Sequence, residues 1–364
     1  MNNKPFSAGD WVEIRSKEEI LKTLDANGQL EGLPFMPQMF KYCGKRFQVF
    51  KRAHKTCDTV NPIRGRRMTN AVHLELRCDG QAYGGCQAGC LIFWKDAWLK
   101  SADSKAMVAA EQPRGPVGAT EENVWAGTRA PGQQPDEANP TYVCQATRLP
   151  EYTQPLNRWD LRQYIEDFTS GNVGLLRIFR GTVYSGYVHL MNAGIGVGRF
   201  MQWFYDFFQR LIGGVPYPRK CGTIPAGERT PHEVLNLQPG ELVRVKSYEQ
   251  ILATLDSNNK NRGLYFDAEA VPFCGGTYRV HSRVSRILDE RTGKLIKMKT
   301  DSIILEGVYC QARYSNCRMF CPRAIYSYWR EIWLERVNEA DATKDTQRPV
   351  RMQESTAVSE EVRA

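Results

Sequence analysis

A shift of 231 residues lays this chain on itself, and that internal repeat constrains the fold more than any other feature. Gly9, Val12, Ser16, Glu18, Ile20, Leu21, Thr23, Leu24, Asp25 and Asn27 meet Gly240, Val243, Ser247, Glu249, Ile251, Leu252, Thr254, Leu255, Asp256 and Asn258. Gly32, Leu33 and Phe35 continue onto Gly263, Leu264 and Phe266, which makes thirteen identities within 27 positions. The register runs ungapped through Cys43-Gly44 and Cys274-Gly275 to Val49 and Val280, and resumes at Leu74-Glu75 and Leu305-Glu306. After a one-residue insertion Cys78 corresponds to Cys310, and Cys86 and Cys90 fall on Cys317 and Cys321. WKDAWLK from Trp94 then matches WREIWLE from Trp329, four residues further along, a spacing of about one helical turn.

Within each unit the local patterns agree. WVEIR and LVRVK alternate as short half-buried strands, as do KRFQVFKR, TYRVHSRV, AVHLELR and SIILEGVY. SKEEILKTLD and SYEQILATLD open with Ser and place Glu early, the pattern of a capped helix, and the Asn- and Gly-containing stretch that follows each is a turn. The expected fold class is α+β: two tandem, small, antiparallel, barrel-like (SH3-like) modules, each with a four-cysteine site and a Trp-rich closing helix. They span residues 1–100 and 231–336. Residues 101–140, rich in Ala, Gly, Pro, Gln and Glu, read as a flexible linker. Residues 141–230 read as a helical, aromatic middle segment joining the modules, and 337–364 as a disordered polar tail.

The cysteines carry the chemistry. The repeat selects Cys43, Cys78, Cys86 and Cys90 in one unit and Cys274, Cys310, Cys317 and Cys321 in the other. Four thiolates complete a tetrahedral zinc shell, and closed four-ligand shells are what structural sites use. Cys86/Cys90 and Cys317/Cys321 are spaced i, i+4, which at a helix entry puts both sulfurs on one face. Two zinc ions per chain are therefore expected. The alternative is an iron–sulfur cluster, against which stands the absence of runs with two-residue spacers. Buried apolar thiols, or disulfides in an oxidising compartment, are the plainer readings. Three cysteines, Cys57, Cys144 and Cys221, have no counterpart in the repeat, and Cys57 aligns with Leu288. With His54 they make a conceivable third, asymmetric site, where Cys57 and His54 are the candidates for catalysis.

No HExxH, GxSxG, P-loop or paired-carboxylate motif is present, so the common hydrolase and nucleotide-dependent classes find no support. The formal charge of +9 permits an acidic partner. Residues 43–67 hold eight Lys or Arg against one Asp, and 274–300 hold seven against two acids, a pattern suited to phosphate-backbone or anionic-ligand contacts, although no nucleic-acid signature string is present. Residues 181–198 contain no charged side chain and five glycines, and Arg180, Arg199, Trp203 and Arg210 surround them, so peripheral membrane contact through 174–213 is a further expectation. The opening residues lack a secretory pattern and no run of about 20 apolar residues exists, which with many free thiols points to a cytoplasmic location.

The strings CQAGCLIFWKDAWL and FCPRAIYSYWREIWL resemble those of an uncharacterised group of bacterial proteins with a duplicated Cys-rich module, over nearly the whole chain. That resemblance implies the module and no activity. The leading functional expectation is a zinc-stabilised binding, scaffold or accessory protein with an acidic partner. The second is a metal- or thiolate-dependent biosynthetic enzyme using His54, Cys57, Cys144 and Cys221, and the third is a peripheral membrane protein.

Overall fold

The computed structural model describes residues 5–61, 65–102, 118–133, 137–193, 196–315 and 318–338. Trp11–Ile14 buries Val12 and Ile14 and turns Glu13 outward, where it meets Arg46 at 3.2 Å and Lys100 at 2.8 Å. This alternation fixes which face of the strand is core. The strand lies fourth in a five-stranded antiparallel sheet whose spatial order is Leu91–Lys95, Ala71–Arg77, Arg46–Arg52, Trp11–Ile14 and Leu99–Ser101. Register shifts between Val49 and Lys51, and between His73 and Arg77, bend the strands so that the sheet curls into a half-barrel.

A second curled sheet runs Tyr326–Trp329, Leu295–Tyr309, Thr277–Leu288, Leu242–Val245 and Leu334–Arg336. Its pairings follow those of the first. Val12 faces Phe47 and Val243 faces Tyr278; Val49 faces Leu74 and Val280 faces Leu305; Val72 faces Trp94 and Ile303 faces Trp329. Each half also has one turn of capped helix. Ser16 and Glu19 form a capping box on Lys17–Leu21, and Ser247 and Gln250 do so on Tyr248–Leu252, satisfying amides that would otherwise be orphaned. The indole N–H of Trp98 donates to Thr23 Oγ1 at 3.1 Å, and that of Trp333 to Thr254 Oγ1 at 2.9 Å.

The tryptophan segments correct one expectation. WKDAWLK and WREIWLE are not closing helices. Each is strand, single 3₁₀ turn, strand: Leu91–Lys95, Asp96–Trp98 and Leu99–Ser101 in one half, Tyr326–Trp329, Glu331–Trp333 and Leu334–Arg336 in the other. A four-residue apolar spacing fits a helix face, but it fits a tight turn equally well when both tryptophans enter one core. Here Trp94 and Trp98 both abut Phe35, edge-on, at 6.3 and 5.1 Å. Cys86 and Cys90 likewise sit in a loop that runs straight into a strand, not at a helix entry.

The halves differ where the hairpin leaves the sheet. Thr277–Leu288 and Leu295–Tyr309 continue as one long hairpin, whereas in the first half Lys55–Cys57 and Gly65–Arg67 break away into a separate three-stranded sheet, with Gly65–Arg67 between Lys55–Cys57 and Gln154–Leu156. The middle of the chain holds helices Arg162–Thr169, Leu175–Met191 and Gly198–Leu211. Asn172 anchors it: its side-chain amide exchanges two 2.8 Å hydrogen bonds with the backbone of Arg52, as a neighbouring strand would. Of the segment 101–140, expected to be a linker, residues 103–117 and 134–136 lie outside the described residues; 118–133 include a helix at Glu121–Ala126 that is capped by Thr120 and places Glu121 against Lys17. The tail beyond 338 lies outside the described residues.

His73 lies wholly within the first core, its Nδ1 2.9 Å from the Ile92 carbonyl oxygen and its ring 4.5 Å from Phe93. Burial pushes its pKa down to about 3. The fold thus holds the neutral ring, while the unfolded chain takes up a proton near pH 6.5. Stability contributed by the neutral ring is complete above that pH and falls by up to about 1.4 kcal/mol per pH unit as pH drops toward 3. The second sheet carries buried Ile304 at the corresponding place. His73→Ile is expected to flatten the pH dependence of the denaturation midpoint between pH 6 and 4; an unchanged slope would show that His73 is not the responsible group.

Candidate metal centres

Between Arg77 and Leu91 the first half forms a tightly wound loop. The Cys78 amide donates to the Cys90 carbonyl at 2.9 Å and closes it. Gly80 is left-handed, with φ 69°, and a Cβ there would overlap the Cys86 carbonyl, so only glycine fits. This winding brings Cys78, Cys86 and Cys90 round one cavity of about 40 Å³, and Cys144 is the fourth thiol lining it. Cys144 is set in place by its neighbour Gln145, whose side-chain amide bridges both the N–H and the carbonyl of Phe93 at 2.9 and 3.0 Å. Burial pushes the thiols of Cys78 and Cys144 up, and that of Cys90 up to about 12. Negative charge on Cys90, Cys144 or Cys86 raises Cys78 further. Such a set ionises readily only when a cation takes up the charge. Two donors already point at sulfur, Gln38 Nε2 at Cys78 (3.1 Å) and the Leu288 amide at Cys86 (3.3 Å), as outer-sphere hydrogen bonds do in thiolate sites.

The second half builds a related loop. The Cys310 amide donates to the Ile325 carbonyl at 2.7 Å, and Ala312, Phe320 and Ala324 adopt positive φ of 50°, 62° and 42°. Cys310 and Cys321 gather with Ala312 and Ile325 around Cys57, which comes from the first half. The Cys57 and Cys321 thiols share a hydrogen bond. With the Arg323 and Arg318 guanidinium groups it holds Cys57 as the more acidic partner, while Cys321 is raised well above the usual thiol range. Cys317, the remaining thiol of this loop in sequence, lies outside the described residues.

Each cysteine loop docks against the hairpin of the opposite half. Gln87 donates its amide to the Arg286 carbonyl at 3.1 Å, and its Oε1 accepts from the Ser285 and Arg286 amides at 2.7 and 3.1 Å. Reciprocally, Arg323, paired in its own half with Glu290 at 3.0 Å, reaches the Cys57 carbonyl at 3.3 Å. Arg77 donates to the Ala324 carbonyl at 2.9 Å and lies 3.7 Å from the Tyr326 ring centroid. Cys57 and Leu288, 231 residues apart, hold matching positions on the two hairpins, so one loop meets a thiol where the other meets a leucine. Arg323 serves both sites, since it also lines the cavity of Cys78, Cys86, Cys90 and Cys144.

This arrangement redistributes the sets expected from the repeat. Cys43 and Cys274 sit at the ends of the 3₁₀ turns Pro37–Tyr42 and Ala268–Phe273, packed on the two separate cores. Burial raises both thiols, Cys43 to about 11, and the nearby charges are Glu18 and Lys17 for Cys43 and Glu249 for Cys274. The asymmetric set is not brought together either: Cys144 joins the first loop, Cys57 joins the second, and Cys221 is exposed. His54 instead faces Asp167, Nε2 to Oδ1 at 3.1 Å, beside Lys55, whose ammonium is 2.5 Å from the other carboxylate oxygen. Among the described residues, no three His, Cys, Asp or Glu side chains are arranged around a single ion position.

The basic stretch at 43–67 is largely satisfied within the fold. Arg52 pairs with Asp96 at 2.7 Å, Lys55 with Asp167, Arg66 with Asp58 at 3.6 Å, and Arg67 with Glu166 at 2.9 Å. Comparison with family models, with curated proteins and with solved structures finds no match.

Proposed function

We infer that the chain is a tandem pair of SH3-like modules clasped together by two metal–thiolate centres, and that it serves as a binding or scaffold component. The observation that carries this reading is the crossing of the two cysteine loops, which recruits two of the three thiols the repeat leaves unmatched: Cys144 for Cys78, Cys86 and Cys90, and Cys57 for Cys310, Cys321 and, by sequence, Cys317. The shared strand register of the two sheets supports a tandem origin. Buried thiols drawn from separate elements suit a structural ion, because binding free energy becomes folding free energy.

Zinc is the first choice of ion. A closed zinc shell draws four sulfurs to about 2.3 Å from one point. A cavity of about 40 Å³ amid the first four thiols favours a second reading there, an iron–sulfur cluster, whose bridging sulfides occupy such a space. Thiolate chemistry at Cys57 draws support from its depressed pKa, but the residue is buried and His54 is engaged with Asp167.

The test is metal content, acid-labile sulfide and mass-spectrometric mapping of alkylated thiols on the purified chain. Two zinc ions, with Cys43, Cys221 and Cys274 as the alkylated residues once the chain is loosened in mild denaturant, support the reading. Iron with sulfide supports the cluster. Metal-free protein that folds normally, purified from metal-supplemented cells, would remove both.

A further inference from the structure

The helices Leu175–Met191 and Gly198–Leu211 form a hairpin whose large apolar side chains mostly face outward. Its inward seam carries small, aromatic and polar groups, with Val188 buried and Ile178 packed on Val173, Met319 and Phe320. Gly181 sits so close to Met319 and Phe320 that a Cβ would overlap them, and Arg177 donates to the Gln311 carbonyl at 2.8 Å. Tyr184 meets Tyr314 at 5.2 Å, and Tyr205 meets Tyr187 and Tyr217, both at 5.8 Å. Asp206 accepts from the Tyr217 amide at 2.7 Å and pairs with Lys220 at 2.8 Å.

The outward face is apolar. Gly198–Leu211 buries no residue at all. Phe200, Trp203, Phe207 and Leu211 recur at the spacing of one helical stripe and are 65%, 60%, 46% and 68% exposed, and on the neighbouring helix Phe179 and Val183 are exposed as well. In a water-facing helix this stripe would turn to the core. A contiguous apolar face of this kind marks a contact surface.

Charge identifies what it contacts. Arg180, Arg199 and Arg210 are exposed beside the stripe. From Gly171 to Arg219 the sequence has one acidic residue, Asp206, and that one is turned inward onto Lys220. A second copy meeting this face across a two-fold axis would set the same arginines against one another. An anionic bilayer surface instead attracts them and accepts the aromatic rings at headgroup level. The helices have 17 and 14 residues, about 26 and 21 Å at 1.5 Å per residue, and among the described residues no helix is long and apolar enough to cross a membrane. We propose that the hairpin is an interfacial anchor that lies in the plane of an anionic lipid surface, its Phe, Trp and Leu side chains in the headgroup boundary. This stands independently of the metal centres.

The experiment is co-sedimentation of the full chain with vesicles of phosphatidylcholine alone or with one third phosphatidylglycerol, at low and at 0.5 M salt. Binding to the anionic vesicles is expected, weakened at least tenfold by high salt or by neutral lipid. Trp203→Glu with Phe207→Glu should weaken it at least tenfold while leaving the melting temperature unchanged, because neither side chain is buried. Arg199→Glu with Arg210→Glu should cost roughly fivefold or more per position and abolish the preference for anionic lipid. Wild-type protein that stays in the supernatant with either vesicle overturns the proposal. So does vesicle binding that the Trp203 and Phe207 variant retains. A wild-type dimer on gel filtration that the same variant dissociates, without lipid binding, assigns the face to a second copy instead.

Discussion

From the proposed metal–thiolate centres, Cys144→Ser is expected to lower the metal content of the purified protein by about half, and Cys43→Ser to leave it unchanged. The pair of results separates two sets of ligands that differ in one member. The repeat pairs Cys43 with Cys274 and so nominates both, but each packs at the end of a 3₁₀ turn against its own core. Cys144 lines the cavity with Cys78, Cys86 and Cys90, held there by the grip of Gln145 on Phe93. The same logic applies across the interface: Cys57→Ser should remove the other half of the metal and Cys274→Ser should not. Structural thiolate sites contribute about 10–16 kcal/mol of binding free energy in small domains, so loss of one ligand in four should also lower the melting temperature by many degrees. Elemental analysis per chain reads the result. Loss of metal in Cys43→Ser with retention in Cys144→Ser would restore the ligand set that the repeat alone suggests.

Asp167→Ala is expected to destabilise the fold by about 3–5 kcal/mol, read as a shift of the urea midpoint. Asp167 has no exposed surface, and Lys55 beside it is almost as deeply buried, with the rings of Tyr164 and Phe320 at 5.1 and 5.7 Å from its ammonium. Burial already lowers the Lys55 pKa even with the carboxylate 2.5 Å away. Removing that carboxylate leaves the ammonium to the two rings and Gln163 Oε1 at 3.5 Å, with no counter-charge, so that it must stay charged at a cost or give up its proton. Replacing both members, Lys55→Met with Asp167→Leu, should recover most of the loss, because the cost lies in the unpaired charge and not in the absent bridge. A single-variant effect below about 1 kcal/mol would mean that water reaches the pair.

What the sequence disclosed and what it withheld divide along physical lines. Local rules worked where local interactions decide: the Ser16 and Ser247 caps, the alternation of Trp11–Ile14, and the helices of the middle segment all follow from near neighbours. Trp94 and Trp98 misled because their spacing is compatible with two backbones, and only Phe35, some sixty residues away, selects the turn. The thiol sets were half legible. The loop cysteines lie close together in sequence, but the thiols that the structure sets beside them, Cys144 in one half and Cys57 in the other, come from distant elements, and no spacing rule reaches across a tertiary contact. The positive stretch at 43–67 looked like an outward surface because Asp96, Glu166 and Asp167, which neutralise it, lie 44 to 112 residues away from their partners. An amphipathic stripe such as Phe200 to Leu211 can be read from spacing, but its direction depends on what the tyrosines opposite it touch.

The crossed cysteine loops carry a consequence for how the halves stay together. The seam mixes polar contacts, such as Gln87 with Ser285 and Arg286 or Arg77 with the Ala324 carbonyl, with small apolar ones, Leu288 on the first core and Cys57 against Ala312 and Cys321. In one chain the encounter is intramolecular, and the effective concentration of each half around the other adds to the affinity of these contacts. Covalent continuity therefore lets the two hairpins carry different residues at matching places, a thiol at Cys57 and a methyl-bearing side chain at Leu288, without either half losing its neighbour.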